Sequence, residues 1–411
     1  MSDAAAPELQ SVRRAWGAIL FAGLGYFVDI FDLLLFAVVR VPSIRDLGAG
    51  ERALEVGTLL QNAQLVGMML GGLLWGAIGD RRGRRAALYG SILLYSIANL
   101  ANAFVASVPS YAVWRFIAGF GLAGELGAAL TLVGEMVDRR ERGTATTLVA
   151  TLGVLGAVAA ALVGESVSWR WAYAIGGGLG LVLLLLRVRL RDSAMFARAR
   201  EQGARRGDLR RLVGDRPRAM RYLRAIVIGM PVWFTTGVLI TFAPEFAAAL
   251  GVAGPVTAGR AVLVYYAATT LGDLTSGLLS QRLRSRRRAV AVFHALCAVG
   301  IGAYLLGAAR VPVSFYAICA WLGFAAGFWA VMVTMAMEQF GTDLRASAAT
   351  SVPTFVRASA VPMTLAFLAM RPSLGMRGAA AVIATLVMVA AAWALWRQPE
   401  TYGRDLDFVE D

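Results

Sequence analysis

Twelve apolar runs, each close to twenty residues long and divided by short polar stretches, leave this chain few ways to fold. They cover about residues 17–39, 56–78, 86–106, 111–134, 144–165, 170–190, 225–249, 259–281, 289–308, 312–337, 346–370 and 376–396. Roughly 20 residues of helix cross the hydrocarbon of a bilayer. Inside lipid the backbone must satisfy its own polar groups, which a helix does within one segment. The runs therefore predict an all-α polytopic membrane protein. A composition of 58% hydrophobic and 16% charged residues belongs to that class and not to a soluble globule.

The formal net charge is +14, carried by forty arginines and no lysine. In a soluble chain this would suggest nucleic acid as a partner. Here the arginines lie in short loops between apolar runs, where membrane topology and anionic headgroups explain them, and no nucleic-acid partner is expected. Counting run edges with the adjoining loops, thirty of them fall on the termini and the even-to-odd loops, eight on the opposite loops, and Arg115 and Arg357 lie deeper within runs. That bias predicts a multi-pass protein of the cell (inner) membrane with both termini in the cytoplasm. Cys297 and Cys319 sit in apolar runs, so neither a disulfide framework nor a metal site is expected. Met1 to Arg14 is short and polar, and the first run is read as an uncleaved span.

Between the second and third runs stands Gly76-Ala-Ile-Gly-Asp80-Arg81-Arg82-Gly83-Arg84-Arg85. Its glycines permit a tight turn, and the acid among arginines can pair locally. The spacing of Gly76, Asp80, Arg81, Gly83, Arg84 and Arg85 resembles the signature loop between helices two and three of the major facilitator superfamily. The resemblance implies twelve transmembrane helices in two six-helix pseudo-symmetric bundles around a central cavity. The chain would then divide into an N-terminal bundle (1–190), a cytoplasmic arginine-rich linker (191–224) and a C-terminal bundle with a short tail (225–411). An internal repeat agrees with that division. Glu135 to Thr144 and Glu338 to Ser347 both read E-x6-R-[GA]-[ST], as expected of parallel transporter halves. After the eighth run, Gln281 to Arg288 keeps the charge of the signature loop but lacks its Asp and glycines.

Ionisable groups inside spans carry the functional information, because each costs about 2.5–3.5 kcal/mol on insertion scales. Asp29 and Asp32 lie near the middle of the first run, three residues apart and about 60° apart around a helix. Two acids so placed in low dielectric have raised, separated pKa values, as a proton site requires. Their D-x-x-D pattern resembles the superfamily's aromatic-acid and sialic-acid proton symporters, although Ile30 stands where those carry a small residue. Arg115-x-x-x-Gly119 in span four resembles the superfamily motif linked to proton coupling, and Gly124-Glu125 resembles its metabolite–proton symporters. Arg115 could alternatively snorkel to headgroups. By this resemblance Asp29, Asp32, Glu125 and Arg115 form a proton-coupling cluster.

In the second half, Asp273 and Arg357 lie near mid-span. Arg357 could grip a carboxylate bidentately, or the two could form an ion pair holding their spans together. Gln61, Asn62, Gln64, Tyr265 and Tyr266 could hydrogen-bond a substrate or serve packing. His294, the sole histidine, is read as interfacial. Glu135 and Glu338 are expected to pair with Arg81, Arg84, Arg142 and Arg345, which with Asp80, Gly83 and Arg85 would make a cytoplasmic gate. The expected function is a monomeric, proton-coupled importer of a small organic anion, with the proton as coupling ion and no cofactor. The fifth run lacks the G-P pattern of the superfamily's antiporters. Efflux of a drug-like cation and a non-transporting receptor are the alternatives. No nucleophile–base pair, phosphate loop or metal cluster points to an enzyme.

Overall fold

The computed structural model describes residues 16–82, 84–123, 142–189, 212–341 and 344–404. Among these there is no strand, and each of the twelve predicted runs carries helix. In the first half these are α1 (Trp16–Asp46), α2 (Ala53–Arg82), α3 (Arg84–Asn102), α4 (Val108–Leu122), α5 (Arg142–Ser166) and α6 (Trp169–Arg189). In the second they are α7 (Arg216–Phe234), α8 (Ala243–Ala249), α9 (Ala258–Leu283), α10 (Arg286–Leu305), α11 (Pro312–Ala326), α12 (Trp329–Met337), α13 (Arg345–Ala358) and α14 (Ala360–Arg397). Together they form twelve membrane helices in two six-helix bundles. Arg216 to Arg224, placed in the linker from sequence, makes the first turns of α7.

Local sequence explains where helices begin. Asp215 accepts from the Arg218 N–H at 2.7 Å ahead of α7, with Pro217 in the first turn. Thr257 and Ser285 cap α9 and α10 in the same way. These side chains satisfy donors that a helix N-terminus leaves open. Three spans are interrupted. Pro231 inside α7 precedes a wider π turn over Thr235–Ile240, and α8 completes that crossing. A break at Gly327 and Phe328 divides α11 from α12. The eleventh crossing is broken at Ser359, between α13 and α14, and Gly375, at φ 66° and ψ 176°, separates it from the twelfth within α14.

Close helix crossings recur in both halves. A β-carbon at Gly119 of α4 would overlap the Gln64 carbonyl of α2, and one at Gly67 would overlap the Phe116 carbonyl. On the other side, one at Gly272 of α9 would overlap the Phe324 carbonyl of α11, and one at Gly323 the Tyr265 carbonyl. Small residues let backbones approach where lipid supplies no hydrophobic drive to association. Between halves, α5 packs on α9, and α2 packs on α13 and α14. His294 is buried within the second half and not interfacial: its Nε2 meets the Ile228 carbonyl at 3.0 Å and its ring the edge of Phe328.

Candidate functional site

The mid-membrane charges gather into two clusters. The first lies within the N-terminal half. Arg115 is wholly buried and does not snorkel. Its guanidinium donates to Gln64 Oε1 and, at 3.5 Å, to the Tyr173 hydroxyl, and lies 4.2 Å from the centroid of Phe36. The Tyr173 and Tyr111 hydroxyls are 2.7 Å apart, and Tyr111 reaches Ser43 at 3.3 Å. Asp32, 2% exposed, turns toward α6, where it occupies the space that a β-carbon at Gly176 would fill and shares its surroundings with Tyr173.

The second cluster spans both halves. The Tyr26 hydroxyl of α1 lies close to the Arg357 guanidinium of α13, and the charges of Asp29 and Asp273 act on the same hydroxyl. Tyr266 lies in the field of Tyr26 and Arg357, its ring 5.1 Å from that of Tyr265. Arg357, 6% exposed, also faces the Trp329 ring at 5.8 Å. Asp273 accepts the Ala330 N–H at 3.3 Å, so it caps α12 across the break that follows α11. No ion pair joins Asp273 to Arg357 among the described residues. Asp32 thus turns toward α6, while the charge of Asp29, one turn from Tyr26 on α1, is felt at the second cluster.

Other predicted ligands are committed elsewhere. Tyr265 holds the π turn through the Thr235 and Thr236 hydroxyls, at 2.9 and 3.0 Å. Gln61 donates to the Gly237 carbonyl at 3.0 Å, and Asn62 accepts from Thr364 at 2.9 Å, both across the halves. Gln61 and Gln64 line a cavity of about 20 Å³ with Phe36, Ala37, Trp233 and Thr241, room for about one water.

The same end of the molecule is joined by contacts that sequence reading missed. Arg40, wholly buried at the end of the first run, meets Glu245 of α8 at 2.7 Å. It also donates to the carbonyls of Ala53 (3.2 Å) and Thr241 (3.1 Å) and lies 4.7 Å from the Phe242 centroid. Arg371 meets Glu55 at 2.8 Å, and Thr257 donates to Glu165 at 2.6 Å. Glu245 inside the seventh run was the available signal. Tyr26 had none, since a tyrosine in an apolar run looks like packing.

Glu125, Glu135 and Gly83 lie outside the described residues, as do the side chains of Asp80, Arg81, Arg84, Arg85 and Arg142. Glu338 pairs with Arg286 at 3.3 Å and accepts from Thr401 at 2.7 Å, both within the second half. Arg345 begins α13. Among the described residues no group of acids, cysteines and histidine could hold a metal.

The Major Facilitator Superfamily profile matches residues 22–364. The chain is 33% identical over 145 residues to the niacin transporter NiaP of Acinetobacter baylyi, 35% of this chain and 32% of that one. It is 28% identical over 164 residues to a gentisate transporter of Corynebacterium glutamicum, 38% of this chain and 36% of the relative. These alignments thus span about a third of the curated relatives' length. In fold, the chain is similar to the xylose transporter XylE of E. coli in a partially occluded inward-open conformation. The TM-score is 0.71 at 17% identity, covering 95% of this chain and 99% of the other.

Proposed function

We propose that this chain, which belongs to the Major Facilitator Superfamily, is a proton-coupled symporter that takes up a small organic anion by alternating access. It is a membrane transporter and not an enzyme. The observation that carries the anion reading is Arg357. A guanidinium keeps its charge in any environment, and this one is buried near mid-span beside a tyrosine hydroxyl and a tryptophan face, in no ion pair among the described residues. A substrate carboxylate would supply a counter-charge through two parallel hydrogen bonds. Trp329 and Tyr266 would flank a ring attached to it. The relatives named for niacin and gentisate support this reading, both names being those of small ring-bearing carboxylates.

Asp29, on the opposite half from Arg357, acts through its charge on the same hydroxyl. Ionised, it competes with substrate for the field of Arg357; protonated, it leaves Arg357 to the substrate. Proton and anion would then bind together, which is the requirement for symport. Asp32 and Arg115 would hold or relay the proton behind Asp29, and Glu125 is retained as a further candidate. With the arginine-rich face in the cytoplasm, the Arg40–Glu245 end faces outward and is closed. Opening it would shift the population to the other access state. The carrier is read as a monomer.

Uptake into proteoliposomes, across monocarboxylates, aromatic acids and sugar acids, tests the proposal. Uptake of at least one acid should rise with an inward proton gradient. Absence of gradient-dependent uptake of every acid would overturn it.

A further inference from the structure

The α9–α10 turn and the chain just beyond α14 enclose a cleft of about 390 Å³, lined by Leu283, Arg284, Ser285, Arg287, Arg288 and Glu400. It belongs to neither polar cluster above. Arg284 caps α9 in the left-handed conformation, at φ 47° and ψ 40°. It is the only described non-glycine residue with positive φ. An L residue adopts that conformation at a cost, and glycine or asparagine usually fills the position. Arginine there fixes a guanidinium at the mouth of the cleft.

Among the described residues the positive charge of the cleft is only partly offset from within, by Glu400. Arg284 and Arg288 are exposed, and Arg287 donates to the Gln398 carbonyl at 3.3 Å. Among the described residues none of the three makes an ion pair. Glu400 is engaged by hydrogen-bond donors at the cleft wall and not by its arginine side chains. Its carboxylate accepts from Ser285 Oγ and from the N–H groups of Arg286 (2.9 Å), Thr401 (3.0 Å) and Tyr402 (3.0 Å). It thereby occupies the start of α10. Arg286 turns away to Glu338.

The surface next to the cleft is apolar. On α10, exposed Arg288 is followed by exposed Val292 and Val299 at helical spacing. On α9, exposed Leu271, Leu274 and Leu278 lead to exposed Arg282. Leu278 is 72% exposed. Each helix thus presents an outward hydrocarbon stripe that ends in an arginine at the level of the cleft.

We infer that this cleft binds the headgroup phosphate of an anionic phospholipid such as phosphatidylglycerol. Arg284 and Arg288 take the phosphate oxygens, which guanidinium groups recognise through charge-assisted hydrogen bonds. The acyl chains lie along the Leu271–Leu278 and Val292–Val299 stripes. Those stripes favour a lipid over free phosphate, since inorganic phosphate has no use for them. Basic clusters at a membrane surface draw anionic lipid electrostatically. The inference is independent of which substrate the central cavity carries.

Native mass spectrometry of the full chain, offered equal amounts of phosphatidylglycerol and phosphatidylcholine in detergent, tests it. The wild type should retain phosphatidylglycerol preferentially. Replacing both Arg284→Gln and Arg288→Gln should weaken that binding roughly tenfold, while Arg260→Gln, remote from the cleft in sequence and exposed, should leave it unchanged. Arg284→Gly guards against a folding defect, because it removes one guanidinium while relieving the left-handed strain. It should bind phosphatidylglycerol less well without melting earlier. Excess inorganic phosphate should not displace the lipid. Equal retention of both lipids by the wild type, undiminished binding in the double or the glycine variant, or displacement by inorganic phosphate would each overturn the inference.

Discussion

Arg40 and Glu245 form a 2.7 Å ion pair that joins the two halves at one end of the molecule. The arginine side chain is wholly buried and the glutamate 20% exposed. Removing one partner of a buried pair costs about 3–5 kcal/mol, and the partial exposure of Glu245 places this pair at the lower end. Glu245→Gln is therefore expected to shift the carrier at least tenfold toward conformers open at this end. A cysteine replacing Ala37, which is buried and lines the small cavity, reports the change by its reaction with an aqueous maleimide. Labelling should accelerate in Glu245→Gln; an unchanged rate would detach the pair from gating.

Arg357 offers a planar fork, and the proposed substrate offers a carboxylate. Arg357→Lys keeps the charge but loses the bidentate geometry. It is expected to raise the KM for the transported acid by about 10–100-fold, since bonds to charged groups are worth roughly 1.5–3 kcal/mol. Arg357→Gln should abolish saturable uptake. The amide analogue of the substrate should fail against wild type. An amide carried as well as its acid would remove Arg357 from anion recognition.

The helices were legible because a twenty-residue apolar run has one physical outcome in lipid. The breaks were less so. Pro231 marks a bend, but a π turn at Thr235–Ile240 depends on Tyr265 satisfying two threonine hydroxyls from another helix. Burial of Asp273 and Arg357 followed from their mid-run positions, whereas Arg115, about one turn into its run, was equally placed to snorkel. Their partners did not: Asp273 caps α12 because the chain breaks at Gly327 and Phe328, a tertiary fact. Arg40 directly follows the first apolar run, where a loop arginine would stand, yet α1 continues to Asp46 and buries it.

Asp29 and Asp32 should have separable effects. The charge of Asp29 acts on the Tyr26 hydroxyl beside Arg357, whereas Asp32 lies against Gly176 and near Tyr173. Asp32→Asn is expected to abolish gradient-driven uptake while preserving substrate counterflow, which needs no net proton transfer. Asp29→Asn, imitating the protonated acid, should bind substrate at least as tightly as wild type and lose the pH dependence of that binding. Binding measured by calorimetry at two pH values, beside counterflow, checks both. Identical phenotypes in the two variants would contradict the separation.

The close crossings predict a contrast between glycines. A β-carbon at Gly119 overlaps the Gln64 carbonyl, a backbone atom that cannot swing aside, whereas one at Gly302 of α10 meets nothing within 4 Å. Gly119→Ala should destabilise by about 1–3 kcal/mol through overpacking. Gly302→Ala should be neutral or stabilising by up to about 1 kcal/mol from helix propensity. Thermal unfolding in detergent distinguishes them, and a Gly119→Ala variant as stable as wild type would refute the crossing.

Glu400 makes stability depend on acid pH in a defined direction. Burial pushes its carboxyl up, but hydrogen bonds from Ser285 Oγ and from the N–H groups of Tyr402, Arg286 and Thr401 outweigh that and hold it below the ordinary 4.5. A depressed folded pKa means that the ionised form is favoured by folding. Its contribution is complete above the unfolded value and is lost as pH falls through the folded one. Glu400→Gln should lower the melting temperature by an amount that is constant near neutrality. That difference should shrink only below about pH 4.5, as the wild-type carboxyl takes up its proton. A gap between wild type and Glu400→Gln that stays unchanged through this acid range would mean that the charge on Glu400 does not hold the end of the chain to α10.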